Sequence, residues 1–347
     1  MTIMRSFDGP LPDLDGARVL VTGGTGSFGQ AFVQRVLDLY PTALVIVFSR
    51  DEQKQYQMEA RLDPAQRERV RFFLGDVRDA ERLELAMHNV STVVHAAAQK
   101  HVSLAEYNPF ECIKTNVHGA ENVANAARRA GVSRVVALST DKAANPINIY
   151  GASKLASDKI FIAANALSGA AGARYAVVRY GNVIGSRGSV IPFFKRLAAA
   201  GAAEVPITDA RMTRFVITLE QGVAFVLSAL AEMKGGEIFV PKIPSVRVVD
   251  LARLIAPDAE RKIVGVRPGE KLHEMMISED DARMVTELDD RYIINPSFSP
   301  WTAEPEKLVR GTPVAEGFSY RSDANPEWLD DAAMRGLIEA APVDPSH

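Results

Sequence analysis

Tyr150 and Lys154 stand four residues apart. That is about one helical turn, so a helix through them presents both side chains on one face. A phenol beside an ammonium has its pKa drawn down and becomes a usable base near neutral pH. Just upstream, after an apolar run, Thr140 offers a hydroxyl, and Asp141 and Lys142 add an acid and a second amine. Oxidising an alcohol needs only the Tyr150–Lys154 pair. The second pair asks for a longer reaction in the same site.

Such an oxidation needs a hydride acceptor, and the run VLVTGGTGSFG offers it a cradle. Gly23, Gly26 and Gly29 follow the first expected strand and open the first expected helix, with Thr25, Ser27 and Phe28 between them. That spacing allows a tight turn and lets backbone N–H groups approach a pyrophosphate at the helix N-terminus. The second strand ends at Ser49 and Arg50, with Lys54 one turn on. A carboxylate closing that strand would grip the ribose 2′-hydroxyl of NAD, whereas Ser49, Arg50 and Lys54 suit a 2′-phosphate. The expected cofactor is therefore NADP, tightly bound and regenerated each turnover. Asp51 reads as a helix N-cap, and a solvated helix face is the other reading of Arg50 and Lys54. Asp76, followed by Val77, ends the third strand and is placed to hold the adenine amine. Ala96, Ala97 and Ala98 follow the fourth strand and are small enough for a cofactor to approach the backbone. Lys100 comes next, near both cofactor and substrate. His101 and Cys112 read as packing or surface residues.

The elements that must position these groups are legible as a rhythm. Short apolar runs at Arg18–Thr22, Leu44–Phe48, Val70–Leu74, Thr92–His95, Val135–Ser139 and Tyr175–Arg179 alternate with amphipathic stretches. The expected helices are Phe28–Tyr40, Asp51–Leu62, Ala80–His88, Pro109–Ala130 and Tyr150–Ala166. This alternation predicts an α/β fold: a Rossmann-type doubly wound parallel sheet covered on both faces. After about residue 183 the loops lengthen, and one long helix, Leu219–Met233, interrupts them. A smaller C-terminal α/β substrate domain over 184–347 is expected at the carboxyl ends of the strands, following an NADP-binding domain over 1–183. Segments around 214–240 are expected to return to the Rossmann core.

Bulk properties exclude several classes. A formal net charge of -3 over 347 residues argues against a nucleic-acid partner. The single cysteine rules out a disulfide framework and a Cys-built zinc site. The six histidines lack metal-ligand spacing, so no metal is expected. No apolar run reaches the roughly 18 residues of a membrane span, and no signal-peptide pattern opens the chain. A cytoplasmic protein with no membrane association is expected.

Together, the glycine loop and the Tyr150/Lys154 pair resemble the short-chain dehydrogenase/reductase superfamily, and the length and second domain resemble its extended branch. Thr140-Asp141-Lys142 narrows the resemblance to UDP-N-acetylglucosamine 4,6-dehydratases, in particular the inverting kind that opens pseudaminic acid synthesis. RYGNVIGSRGSVIPFF, ITDARMTRFVIT and RPGEKLHEMMISEDDAR are similar to the same family. The resemblance implies that Tyr150 takes the sugar 4-hydroxyl proton while C4 is oxidised, with Lys154 holding the phenol pKa down and Thr140 bonding the same oxygen. The 4-ketone makes the C5 hydrogen acidic. Asp141, protonated, would assist departure of the 6-hydroxyl, so its pKa should be raised. Lys142 would carry proton traffic at C5, and inversion there gives a 6-deoxy-L-arabino-4-keto sugar.

For a UDP-sugar, the resemblance implies Asn182 at the diphosphate, Arg187, Lys195, Arg214 and Arg267 as candidate cations, and Glu270 at a ribose hydroxyl. It also implies a homo-oligomer paired through helices beside the core. Competing readings are a C5-retaining dehydratase, a UDP-hexose 4-epimerase, and a non-catalytic NADP-binding sensor or scaffold. Asp141 argues against an epimerase, which has no leaving hydroxyl to protonate.

Overall fold

The structure is a computed structural model that describes residues 5–169, 172–185, 190–296 and 310–341. Six strands appear where the apolar runs predict them: Arg18–Thr22 (β1), Leu44–Ser49 (β2), Val70–Leu74 (β3), Thr92–His95 (β4), Arg134–Thr140 (β5) and Arg174–Tyr180 (β6). They pair in parallel in the order β3-β2-β1-β4-β5-β6. That is the Rossmann order, with the strand sequence reversing between β1 and β4. Val19, Leu20 and Val21 of β1 are all fully buried, as are Val93 and Val94 of β4. Helices cover both faces of the sheet, which is why these strands read as continuous apolar runs.

The sheet does not stop at β6. Ile238–Pro241 adds to it in parallel, then Arg291–Ile294, Val285–Glu287 and Thr312–Pro313 continue antiparallel. The helix Leu219–Glu232 leads into this extension, started by a capping box in which Thr218 and Gln221 bond reciprocally. Among the described residues three smaller sheets lie outside. Asn182–Val183, Thr213–Ile217 and Ser245–Arg247 form one. Glu204–Ile207 pairs with Glu260–Ile263, and Met275–Ile277 pairs with Tyr320–Arg321. Separate apolar clusters around Ile191, Val246 and Leu251, and around Phe194, Val205 and Ile207, hold this part together.

Two helices position the chemistry. Ile149–Ser168 is capped by Asn148, whose side chain accepts from the Gly151 N–H at 2.7 Å. Phe161 anchors its middle, fully buried against Tyr175 and His95; burying that ring contributes about 1.5–3 kcal/mol. The stretch expected as one helix over 109–130 is instead broken. Pro109–Ile113 and Gly119–Arg129 flank a π-helical turn at Lys114–His118. Asn116 sits in that turn. It accepts from the Gln99 N–H at 2.8 Å, and donates to the Gln99 carbonyl at 3.0 Å and to Ser153 Oγ at 2.9 Å. Those long-range bonds hold Asn116 toward the strand exit and the neighbouring helix, where an inserted residue in a helix characteristically places a side chain. Among the described residues no helix is long and apolar enough to cross a membrane.

Candidate active site

The glycine loop lies where β1 meets the helix Ser27–Leu39. Gly23 has φ +66, and a Cβ there would stand 2.8–2.9 Å from the backbone of Ala96 and Ala97. Only glycine lets the loop and the β4 exit lie this close. Gly26 caps the helix with no side-chain bond to its first N–H groups, leaving donors of the kind that hold a pyrophosphate. Thr25 and Gly29 are buried in this loop, with Ser27 and Phe28 half-buried. The cradle fits a dinucleotide.

At the ribose end, the basic residues face carboxylates. Asp51 caps the helix Glu52–Glu59 through the Lys54 N–H, and the Lys54 ammonium lies 2.7 Å from the same carboxylate. Arg50 lies 3.7 Å from Asp76. Asp76 also accepts from the Arg78 guanidinium at 2.8 Å and from its N–H at 3.0 Å. Despite the burial that opposes it, these bonds to Arg78 hold the Asp76 pKa below the usual carboxylate value. Ser49 and Val77 are buried, Ala96 and Ala97 half-buried, and Ala98 and Lys100 exposed.

Thr140 ends β5, and its side chain starts the short turn Asp141–Ala143. Asp141 is 0 % exposed. Its Oδ1 accepts from the Thr140 hydroxyl at 2.9 Å and from Lys142 Nζ at 3.0 Å, while Oδ2 is buried with no partner among the described residues. Burial pushes the Asp141 carboxyl up, and Glu274 adds to the rise against the pull of Lys142. Lys142 is 22 % exposed. Burial works to lower its pKa, but Asp141 and Glu274 together outweigh burial and hold it above that of free lysine.

Tyr150 is buried on the facing helix, and burial pushes its phenol up to about 12, with Lys142 and a hydrogen bond to Thr140 pulling the other way. This corrects the expectation that Lys154 draws the phenol down. Lys154 is buried in the same helix, but its ammonium donates to the Leu138 carbonyl at 2.7 Å. Burial lowers the Lys154 pKa, against Asp158 one turn further on. Asp158 itself is buried, accepting from Ser139 at 2.9 Å and from Arg179 at 3.0 Å. Arg179 in turn donates to the Met276 carbonyl, tying the catalytic helix to the C-terminal segments.

The residues expected at the substrate divide. Arg214 approaches the cluster, but its guanidinium donates to the carbonyls of Thr213, Leu272 and Lys271 at 2.7–3.1 Å and stands 3.7 Å from Glu274. It clamps the 271–274 segment. Lys195 donates to the Ala341 carbonyl at 2.6 Å, so its ammonium serves the C-terminal helix, Asp331–Ala340. Arg267 is 65 % exposed, with Glu270 at 3.8 Å. Asn182 is half-buried in its two-residue strand, in register with Val216. Arg187 lies outside the described residues. The Asn148 amide donates to the Gly269 carbonyl at 2.7 Å, which docks the loop bearing Arg267 and Glu270 on the start of the catalytic helix.

Sequence reasoning missed Glu274. It is 2 % exposed and lies 3.2 Å from Lys142 Nζ. The available signal was an acid at the head of EMMI, directly before the apolar run Met275–Ile277 that enters a strand. Asp158 and Asn116 were also missed. Asp158 follows Lys154 by one helical turn, which places it on the same buried face.

Comparison with known proteins completes the picture. The profile of a family described as polysaccharide biosynthesis protein matches residues 19–296. A Campylobacter jejuni protein named UDP-N-acetylglucosamine 4,6-dehydratase (inverting) is 52% identical over 329 residues, covering 93% of this chain and 98% of its own length. A Rickettsia canadensis protein named UDP-glucose 4-epimerase is 39% identical over 303 residues, covering 84% and 88%. Among solved structures, Pen from Bacillus thuringiensis superposes with a TM-score of 0.84 at 34% identity, covering 94% of this chain and 99% of that one. A dTDP-glucose 4,6-dehydratase from Streptomyces venezuelae, solved with NAD bound, gives 0.63 at 28% identity, covering 74% and 86%. That bound NAD overturns the expectation of NADP. On the ribose side, the physical counterpart is that carboxylates stand beside both cations, Asp51 2.7 Å from Lys54 and Asp76 3.7 Å from Arg50, and offset the positive field that a 2′-phosphate would meet.

Proposed function

This chain belongs to the polysaccharide biosynthesis protein family, within the extended short-chain dehydrogenases/reductases, and from that premise we propose that it is a UDP-N-acetylglucosamine 4,6-dehydratase that inverts C5. The observation that carries this reading is Asp141, a wholly buried carboxyl pushed toward its protonated form within the cluster that holds Tyr150. An oxidoreductase needs no such acid; a dehydratase does. The glycine loop at Gly23, Gly26 and Gly29 would hold NAD, which when bound would supply the hydride acceptor for C4 and the hydride donor for C6. Tyr150 accepts the proton of the 4-hydroxyl as a phenolate, a form that burial opposes and that Lys142, the cation that most lowers the phenol, favours. Thr140 orients the phenol and Asp141 together. Once C4 is a ketone, Asp141 gives its proton to the departing 6-hydroxyl, which leaves as water. The C5 proton leaves to solvent, and Lys142, an ammonium at rest, gives a proton back to C5 on the opposite face and is reprotonated from solvent, which yields UDP-2-acetamido-2,6-dideoxy-β-L-arabino-hex-4-ulose. Proton accounts balance over the cycle: the two protons taken from O4 and C5 equal those given to water and back to C5.

On the same reading, Arg267, Glu270 and Asn182 serve the nucleotide half of the substrate. The enzyme works in the cytoplasm as a homo-oligomer. Exposed Leu104, Tyr107 (87 % exposed) and Phe110 beside the catalytic helix support pairing of copies there. The second reading, a UDP-hexose 4-epimerase, has the Rickettsia relative in its favour. Mass spectrometry separates the two after incubation with NAD and UDP-N-acetylglucosamine. A product one water lighter supports dehydration, and a product of unchanged mass would overturn it in favour of epimerisation.

A further inference from the structure

Lys142 has one ammonium and two carboxylate neighbours, Asp141 Oδ1 at 3.0 Å and Glu274 Oε1 at 3.2 Å. The two carboxyls arrive from opposite parts of the chain, one on the turn after β5 and the other just before the strand Met275–Ile277. Both are almost fully buried, and each keeps one oxygen without a partner among the described residues. Two buried carboxylates sharing one cation cannot both stay ionised cheaply.

The surroundings break the tie. Glu274 also has the Arg214 guanidinium at 3.7 Å and feels the Lys271 ammonium. Among the described residues Asp141 has no second cation of comparable weight; its other partner is the Thr140 hydroxyl at 2.9 Å. Tyr150 faces the pair from the catalytic helix and carries no charge when protonated, and Arg179 acts on the neighbouring Lys271. Backbone bonds fix Glu274 in place, with its N–H donating to Ser322 Oγ and its carbonyl accepting from the Ser322 N–H, both at 2.9 Å.

We propose that Glu274 is the positioning residue of the dehydration acid: as the ionised partner of Lys142, it leaves Asp141 to carry a proton. This rests on the dehydratase reading but deepens it, because it names what keeps an acid available at neutral pH beside an amine that would otherwise ionise it. The directions of titration agree, since Glu274 is held below and Asp141 above their ordinary values. The cluster then has a division of labour. Glu274 takes the charge, Lys142 stays an ammonium, and Asp141 spends its proton on the leaving hydroxyl.

The test reads Asp141 directly in substrate-free enzyme, by carboxyl ¹³C NMR titration with the resonance assigned through Asp141→Asn. In the unmodified enzyme Asp141 titrates above the ordinary carboxylate range. Glu274→Gln lowers that midpoint by about 1–2 pH units, and the alkaline limb of the water-loss rate moves down with it. Glu274→Asp keeps the charge and restores most of the midpoint, which a purely structural role would not do. If Glu274→Gln does not fold, Lys142→Met supplies the second arm and raises the Asp141 midpoint. An Asp141 that titrates at or below the ordinary carboxylate value in the unmodified enzyme overturns the proposal. So does a midpoint indifferent to the Gln variant. Because the titration uses no substrate, a wrong substrate assignment leaves it standing, while a normal Asp141 sinks it whatever the substrate.

Discussion

Gly151 follows Tyr150 directly, and it is where the two halves of the chemistry touch. A Cβ at this position would lie 3.0 Å from Pro146 Cβ and 3.2 Å from the Lys142 carbonyl carbon, with the Lys142 carbonyl oxygen closer still, inside the 3.0 Å that real Cβ atoms keep. The carbonyl belongs to backbone, so no flexible side-chain end can swing away. Gly151→Ala must therefore push the Asp141–Ala143 turn off the helix by about 0.5–1 Å, at an overpacking cost of about 1–3 kcal/mol. For a chain of this size that lowers Tm by roughly 1–4 °C. The kinetic effect is selective. Tyr150 and Lys154 share the helix with Gly151 and keep their mutual geometry, whereas Asp141 and Lys142 ride on the displaced turn. A misplacement near 1 Å costs about 10²-fold in rate, so water loss should fall about 100-fold while C4 oxidation falls by less than about 10-fold. Single-turnover experiments separate the two, with cofactor absorbance reporting oxidation and quenched mass spectrometry reporting water loss. Wild-type water loss in a folded Gly151→Ala enzyme refutes the claim that the turn sets the dehydration geometry. An equal fall in both steps refutes the selectivity.

Asp141→Asn should leave C4 oxidation in place and slow water loss by about 10²–10⁴-fold, the range for removing a general acid; reduced cofactor then accumulates in a single turnover, and a loss of less than about 10-fold contradicts its role. His95 gives a stability prediction. It is buried beside Phe161, with Nδ1 2.8 Å from the Thr22 hydroxyl, and burial brings its pKa down to about 3. The folded state thus binds fewer protons than the unfolded state between that value and about 6.5, so its contribution is complete above about pH 6.5 and is lost as pH falls. From pH 7 to 5 the loss is about 2 kcal/mol, and urea melts of His95→Gln should lack that part of the decline. An unchanged slope would place His95 outside the acid response.

The parallel core was legible because strands buried on both faces must be apolar throughout. The ends of β1, β3 and β4 coincide with the apolar runs, and β2, β5 and β6 differ by a residue or so at the edges. The cofactor loop and the Thr140–Lys154 run were legible because their groups are local in sequence. What failed was long-range. The π-turn at Lys114–His118 is held by Gln99 and Ser153, which no helical periodicity registers. Glu274 meets Lys142 only after the chain has built a second part and returned. The direction of the Tyr150 pKa shift was misjudged because spacing along a helix says which side chains share a face, not where each ammonium points. Lys154 points to Leu138, and burial dominates the phenol. Arg214 and Lys195 read as free cations from sequence, yet both are engaged by backbone carbonyls supplied by distant segments. The cofactor was misjudged for a related reason: Asp51 was read as a helix N-cap and Asp76 as a partner of the adenine, whereas their carboxylates also face Lys54 and Arg50.

The most direct measurement is incubation of the enzyme with NAD and UDP-N-acetylglucosamine in D₂O, followed by NMR of the product. The account predicts a 4-keto-6-deoxy sugar of L-arabino configuration, with deuterium at C5 and the former C4 hydrogen carried to C6. A sugar that keeps its 6-hydroxyl, or a product with the D configuration retained at C5, would contradict it.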